Sequence, residues 1–457
     1  MDYRKLAERF EGLTLESEDR WDYMGTSNSE RDYVHGLCTY PAMMVPKMQR
    51  EMLAVCLKEI KTLRPKLLDP FAGSGTVLVE GMLNGLDIVA IDINPLAVLL
   101  CKVKSTIIDI NELEQKTEQL FKNIATYNES SIHCFKGIDK WFAPKAITDL
   151  SKIRTAIIQD NSLETRRFFW VTFCEVIRMV SNSRDCTYKL YIKDADDIRS
   201  FSKDTISLFK ETLMLNINKY KEFYKVLKAK KFLKRDGSAY KGKVKVVLGD
   251  CFRYLLSSKT KFDLVFTSPP YGDNHTTVSY GQYSVLALRW IDSKDIDDNI
   301  DPKLFETYYE IDKNSFGGLS SSKSITSERK NVASKSETLS KQISSVTMQA
   351  PNQVNKLIAF YSDFDRFLEV LSRKISPSGI SVWVLGNRRV ARQEIFMNKI
   401  VAELADNYDF DFVTSFTRRI INKRMPTVSA YTGEGANSVE TMTREHIQIF
   451  SKRKAYE

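Results

Sequence analysis

Eight consecutive residues, Asp69-Pro70-Phe71-Ala72-Gly73-Ser74-Gly75-Thr76, join an apolar strand end at Leu67-Leu68 to a helical pattern from Val77 to Leu83. Doubly wound α/β folds bind ligands beyond the carboxyl ends of their strands, and a glycine there lets the backbone approach a cofactor with no Cβ in the way. Gly73 and Gly75 suit that role. The next apolar run, Asp87-Ile88-Val89-Ala90-Ile91, ends on Asp92. A carboxylate about 20 residues past the turn is where such folds hold a ribose hydroxyl. The two strand ends point to recognition of a nucleoside-like ligand. The plain structural alternative is a glycine-rich helix cap, with Asp92 capping the helix that opens at Asn94-Pro95.

The residue types narrow the ligand. No Lys stands between Gly75 and Thr76, which removes the phosphate-binding loop Gly-x-x-x-x-Gly-Lys-Ser/Thr. Leu78 occupies the position of the third glycine of the dinucleotide fingerprint. An adenosyl ligand without a pyrophosphate remains. Far downstream, Asp263-Leu264-Val265-Phe266-Thr267-Ser268-Pro269-Pro270-Tyr271 is a second apolar strand whose carboxyl end turns polar, and its two prolines stop the strand and stiffen the turn.

With both motifs in place, the chain resembles the amino-group DNA methyltransferases that use S-adenosylmethionine, the N4-cytosine and N6-adenine kind, over roughly residues 31 to 105 and 243 to 457. The resemblance implies a Rossmann-like α/β fold with a mixed, mostly parallel seven-stranded sheet, a large helical insertion and a terminal β-hairpin. It implies that Asp69, Pro70, Phe71, Gly73, Gly75 and Thr76 cradle the cofactor, with Asp92 and Asn94 at the ribose. Asp250, ending the strand from Lys243, would accept the adenine amino group, its plain alternative again being a helix cap. Tyr40 and Pro41, ahead of a helix from Pro46 to Lys61, would complete the methionine end.

The resemblance also assigns the reaction. An exocyclic amine is a poor nucleophile because its lone pair is delocalised into the ring, so acceptors must hold it in a pyramidal geometry. Ser268 Oγ and the Pro269 carbonyl suit that task, Pro270 stiffens the turn and Tyr271 offers a stacking face. A base paired inside a duplex must be flipped out, at a cost of a few kcal/mol. Ser268 ahead of the prolines favours N4 of cytosine over N6 of adenine, as in the resembled family. No Pro-Cys motif is present, which argues against C5-cytosine methylation. No metal is needed. The expected partners are double-stranded DNA, S-adenosylmethionine and a cognate restriction endonuclease acting on the same site. The competing readings are an RNA (tRNA) amino-methyltransferase and a DNA-binding subunit without catalysis.

At 457 residues the chain exceeds a usual single core. The expected organisation is an N-terminal arm over 1–30, methyltransferase segments over 31–104, 243–290 and 357–457, a helical insertion over 105–242 and a polar loop region over 291–356. Within the last, residues 314 to 352 are rich in Ser, Lys, Thr, Gln and Asn. That composition predicts a mobile loop, removable without loss of fold. Strands are expected at Ile380–Asn387, after a turn at Pro377-Ser378-Gly379, and at Phe410–Arg418 and Glu445–Ser451, with a Lys423-Arg424 tip able to touch substrate.

A net charge of +10 favours a polyanionic partner. From Lys203 to Lys245 there are 13 Lys or Arg against 4 Asp or Glu, interleaved with Phe209, Tyr220, Phe223, Tyr224, Phe232 and Tyr240. This is either a nucleic-acid surface with stacking aromatics or an amphipathic helix with a lysine-covered face. Arg178, Arg184 and Lys189, near the apolar helix around Trp170, are further candidates to face DNA. No apolar run reaches the 18 or more residues of a membrane span and no signal-peptide core opens the chain, so a cytoplasmic protein is expected. Seven cysteines without a Cys-x-x-Cys pair predict reduced thiols and no zinc site.

Overall fold

The apolar runs become the strands of one sheet. The computed structural model describes the chain apart from residues 1–2, 15–20, 23–30, 128–131, 185–186, 201–203, 273–276, 319–324, 391, 422–427, 430–438, 441 and 454–457. Its main sheet has seven strands: β1 (Lys66–Asp69), β2 (Asp87–Asp92), β3 (Val244–Leu248), β4 (Phe262–Thr267), β5 (Ile375–Gly386), β6 (Phe410–Arg419) and β7 (Arg444–Lys452). Their order is β3-β2-β1-β4-β5-β7-β6. The first five run parallel, and β7 is antiparallel to both β5 and β6. The order reverses between β1 and β4, and a ligand crevice forms at the carboxyl ends of strands that part in this way.

Successive side chains of a strand point to opposite faces, so the sheet divides its apolar residues between two cores. Leu67, Ile88, Leu264 and Phe266 belong to one, and Leu68, Ile91, Val265 and Phe262 to the other. The insertion covers the first face with helices that include Ile110–Ala125, Pro144–Ile158, Leu163–Val180 and Thr205–Ala229. Trp170 and Phe173 are fully buried in that core. So are Phe209, Tyr220 and Phe223, while Tyr240 is nearly so. Four of the six aromatics of the lysine-rich stretch are therefore core residues, and Tyr224 and Phe232 are partly buried against the same core. That stretch also ends at the wrong edge for the crevice. Lys230 Nζ donates to the Leu83 carbonyl at 2.8 Å, and Phe232 packs on Gly85, beside the start of β2.

The second face corrects the loop expected at 314 to 352. Residues there form helices Ile325–Lys335 and Glu337–Gln349, which lead directly into Pro351–Ser372. Val332, Leu339, Ile343 and Val346 are buried in the second core. The polar composition has local uses: Ser336 caps the second helix through Leu339 N at 3.0 Å, and Glu403 Oε2 accepts from Ser336 Oγ at 2.5 Å and Thr338 N at 3.0 Å. The expected turn at Pro377-Ser378-Gly379 is likewise absorbed into β5, as an irregularity with Ser378 at φ 63° and a register shift against β4.

Helix Tyr3–Thr14, in the stretch expected to form an N-terminal arm, packs on the sheet. Leu6 and Phe10 are buried, and Phe10 and Trp21 pack on Phe416 of β6 with ring centroids 6.4 and 5.7 Å apart. The Lys423-Arg424 tip lies outside the described residues. Among those described, no helix is long and apolar enough to cross a membrane, and Cys38, Cys56, Cys101, Cys134, Cys174 and Cys251 carry free thiols.

Candidate active site

β1 and the following turn are built around backbone positions that need glycine. Gly73 has φ 48° and Gly75 has φ 75°, left-handed values that cost an L side chain about 1 to 2 kcal/mol. The turn is pinned by Ala72 N to the Ile91 carbonyl (2.9 Å) and by Gly73 N to Asp92 Oδ2 (2.8 Å). Behind it the buried Lys104 donates through Nζ to the Ser74 carbonyl at 2.6 Å, and burial pushes its pKa down to about 8. Asp69 is fully buried, with Oδ1 accepting from Phe71 N (3.2 Å) and Thr267 Oγ1 (3.1 Å), which ties the two motifs together. Its Oδ2 has no partner, and burial raises the carboxyl to about 7.

Asp92 accepts a second backbone bond, from Asn94 N at 2.8 Å. Burial still pushes its pKa up to about 6 despite those amides. Asn94 caps helix Pro95–Ser105 through Oδ1, and its Nδ2 donates to Tyr40 Oη (3.0 Å) and Ser284 Oγ (2.8 Å). Tyr40 is held from three sides. Its ring stacks on Tyr280 at 5.8 Å. Its neighbour Thr39 donates to Glu175 of the insertion through N (2.8 Å) and Oγ1 (3.0 Å), and receives the Tyr283 hydroxyl at its carbonyl. Upstream, His35 Nε2 meets Glu80 Oε1 at 3.0 Å, while Arg50 bridges Glu80 and Asp32. Burial keeps His35 neutral, and its hydrogen bond with that of Arg50 holds Glu80 below its ordinary value against the cost of burial. Two distant segments thus fix Tyr40-Pro41 over the glycine turn.

These elements enclose a cavity of about 880 Å³, counting the space open at its mouth. Of the residues expected from sequence, Tyr40, Pro41, Pro70, Phe71, Gly73, Thr76, Asp92, Asn94, Asp250, Ser268 and Pro270 line it. Asp69, Gly75, Pro269 and Tyr271 do not. Asp69 and Gly75 shape the turn from behind, and Pro269 is buried. Asp250 reaches the cavity while capping helix Cys251–Ser257 through Phe252 N at 2.9 Å. Missed by sequence reasoning were Met43, Met44, Tyr280, Ile311 and Phe316. Phe316 stands edge-on to Phe71 at 5.2 Å. It comes from the stretch expected to be a loop, where a lone aromatic among polar residues was the available signal.

S-adenosylmethionine fits this cavity. The absent Cβ of Gly73 would lie 3.5 Å from the Tyr40 ring, Asp92 offers acceptors at the second strand end, and apolar side chains line much of the wall. Asp92→Ala should weaken cofactor binding by about 1.5 to 3 kcal/mol, the worth of a charge-assisted hydrogen bond. In the wild type, affinity should also fall as pH drops through about 6, where Asp92 takes up a proton and loses acceptor strength. Titration calorimetry across pH checks both; a pH-independent affinity would remove Asp92 from the contact.

The second motif forms the adjoining wall. Ser268 Oγ stands 3.1 Å from Tyr271 Oη, which donates to Glu445 Oε1 of β7 at 3.0 Å. Glu445 Oε2 forms an ion pair with Arg418 Nη2 of β6 at 2.5 Å, off the axis of a good hydrogen bond. Burial raises the Tyr271 phenol well above its ordinary value, so it remains a donor. Its ring packs against Gly386 of β5, where an added Cβ would lie 2.4 Å from Cδ2. Of the basic residues expected to face DNA, Arg178 lies over the Tyr283 ring at 4.2 Å and Arg184 pairs with Asp194 at 3.0 Å.

The sheet order, the glycine turn at the reversal point and the cavity between two motif loops define an S-adenosylmethionine-dependent methyltransferase. Comparison with known proteins carries this further. The chain is 30% identical over 448 residues to the type II methyltransferase M.MvaI of Kocuria varians, covering 95% of each. It is 32% identical over 114 residues to the type II methyltransferase M.MjaII of Methanocaldococcus jannaschii, covering 23% of this chain and 21% of that one. The chain therefore belongs to the type II methyltransferases, which are DNA methyltransferases. No protein-family model matches it. Among solved structures, the rRNA methyltransferase aviRa from Streptomyces viridochromogenes aligns over 93% of both chains at 11% identity, with a TM-score of 0.32 that carries no argument.

Proposed function

We propose that this protein methylates the exocyclic amine of a flipped base at a specific site in duplex DNA, N4 of cytosine in preference to N6 of adenine. It would act in the cytoplasm within a restriction-modification system, beside an endonuclease for the same site. The observation that supports the reading is that Ser268 of Ser-Pro-Pro-Tyr lines the same cavity as Gly73, Asp92 and Asp250. Bound S-adenosylmethionine supplies an electrophilic methyl group on its sulfonium. Ser268 Oγ accepts an amine hydrogen and so orients the nitrogen lone pair towards the cavity. Pro269 and Pro270 hold the turn at a fixed height above β4. A further cavity of about 970 Å³, counted likewise, lies beyond Gly386 and is lined in part by Arg389, Lys399 and Arg444. Its charge suits DNA phosphates, as does the net +10.

Purified protein incubated with labelled cofactor and duplex DNA, or with tRNA in parallel, should label the duplex. Digestion should then release N4-methylcytosine. N6-methyladenine as sole product would overturn the choice of base, and label in tRNA alone would overturn DNA as substrate. Ser268→Ala should lower turnover by about 10²-fold or more, in the range for a lost transition-state contact, with cofactor affinity unchanged.

A further inference from the structure

Glu445 reaches the catalytic turn from the far end of the chain. In the sheet it pairs with Gly386 on one side and Arg418 on the other. Gly386 leaves room for the Tyr271 ring, and Arg418 supplies the countercharge. Glu445 is thereby held with one carboxylate oxygen on a guanidinium and the other on the Tyr271 hydroxyl, a contact of 3.0 Å. The direction of every hydrogen bond in this chain follows from its end. A carboxylate only accepts, so Tyr271 donates to it. The Tyr271 oxygen is then left as acceptor, and Ser268, 3.1 Å away, donates to Tyr271. With its one proton so placed, Ser268 Oγ presents only lone pairs to the cavity.

We propose that Glu445 is a positioning residue for methyl transfer. Through Tyr271 it fixes the Ser268 hydroxyl as a pure acceptor for the target amine. The inference rests on the functional reading given above and extends it to a side chain outside the lining of the cofactor cavity. It also gives Tyr271 a task for its hydroxyl, distinct from any stacking by its ring.

Two substitutions separate the tasks. Tyr271→Phe keeps the ring and removes the relay. Glu445→Gln keeps the shape but inverts the chain: Arg418 can only donate, so the amide oxygen turns to Arg418 and the amide NH₂ to Tyr271. Tyr271 then donates to Ser268, whose own proton is pushed towards the cavity.

With duplex DNA and S-adenosylmethionine, each variant should lose kcat by about tenfold or more, with the KM for DNA and the calorimetric cofactor affinity within about twofold of wild type. The double variant should be no slower than the slower single one, because both break the same chain. A Tyr271→Phe enzyme at the wild-type rate overturns the proposal, whatever Glu445→Gln does, since the carboxylate would then act only through Arg418 and the sheet. Loss of cofactor affinity in step with kcat overturns it as well. Active wild-type protein with unaffected variants defeats this inference alone, whereas wild-type protein that methylates no duplex defeats the functional reading with it.

Discussion

Excision of residues 325–349 is expected to leave a chain without a cooperative thermal transition. The segment buries Val332, Leu339, Ile343 and Val346 against the second sheet face. At about 1.5 to 3 kcal/mol for each buried aliphatic side chain, their removal forfeits on the order of 6 to 12 kcal/mol, comparable to the 5 to 15 kcal/mol that hold a whole domain folded. The excision also breaks the Lys335–Asp365 pair of 2.6 Å. Calorimetric melting decides the matter, with Ile343→Ala as a milder companion costing about 2 to 5 kcal/mol. An excised protein that melts at the wild-type temperature would mean the segment is not part of the fold.

The second large effect is at the glycine turn. Gly73→Val should abolish measurable cofactor binding. A β-branched residue is disfavoured at φ 48°, and its Cβ, 3.5 Å from the Tyr40 ring, would direct methyl groups into the space between turn and tyrosine. Relief by moving the turn would break the bonds from Gly73 N to Asp92 and from Ala72 N to Ile91. Calorimetry with S-adenosylmethionine should show no heat for Gly73→Val and a weakened isotherm for Gly73→Ala, while circular dichroism stays that of the wild type. Unchanged affinity in the valine variant would place the adenosyl site elsewhere.

What could be read from the sequence follows from where the physics is local. Parallel strands covered on both faces must be nearly continuous apolar runs, so β1, β2 and β4 and the turns that end them stand out. Helix Tyr280–Trp290 is legible too, because Tyr283, Val285, Leu286, Ala287, Leu288 and Trp290 make it strongly apolar and all are buried. The segment at 314 to 352 was misjudged on composition, although Leu339, Ile343 and Val346 recur at i, i+4 and i+7, which is helical spacing. Average polarity hid a periodic minority of apolar residues. Glu445 carried no local signal at all. It lies 174 residues from Tyr271, and only the insertion of β7 between β5 and β6 brings the two together.

That insertion has a consequence for how the protein is made. β6 is synthesised before β7, yet among the described residues its partner in the finished sheet is β7 and no other strand. One of its faces packs on the N-terminal helix through Phe10 and Phe416. The sheet edge that carries Arg418 is therefore closed only by the last strand of the chain to be made, and the Glu445 contact with Tyr271 forms with it.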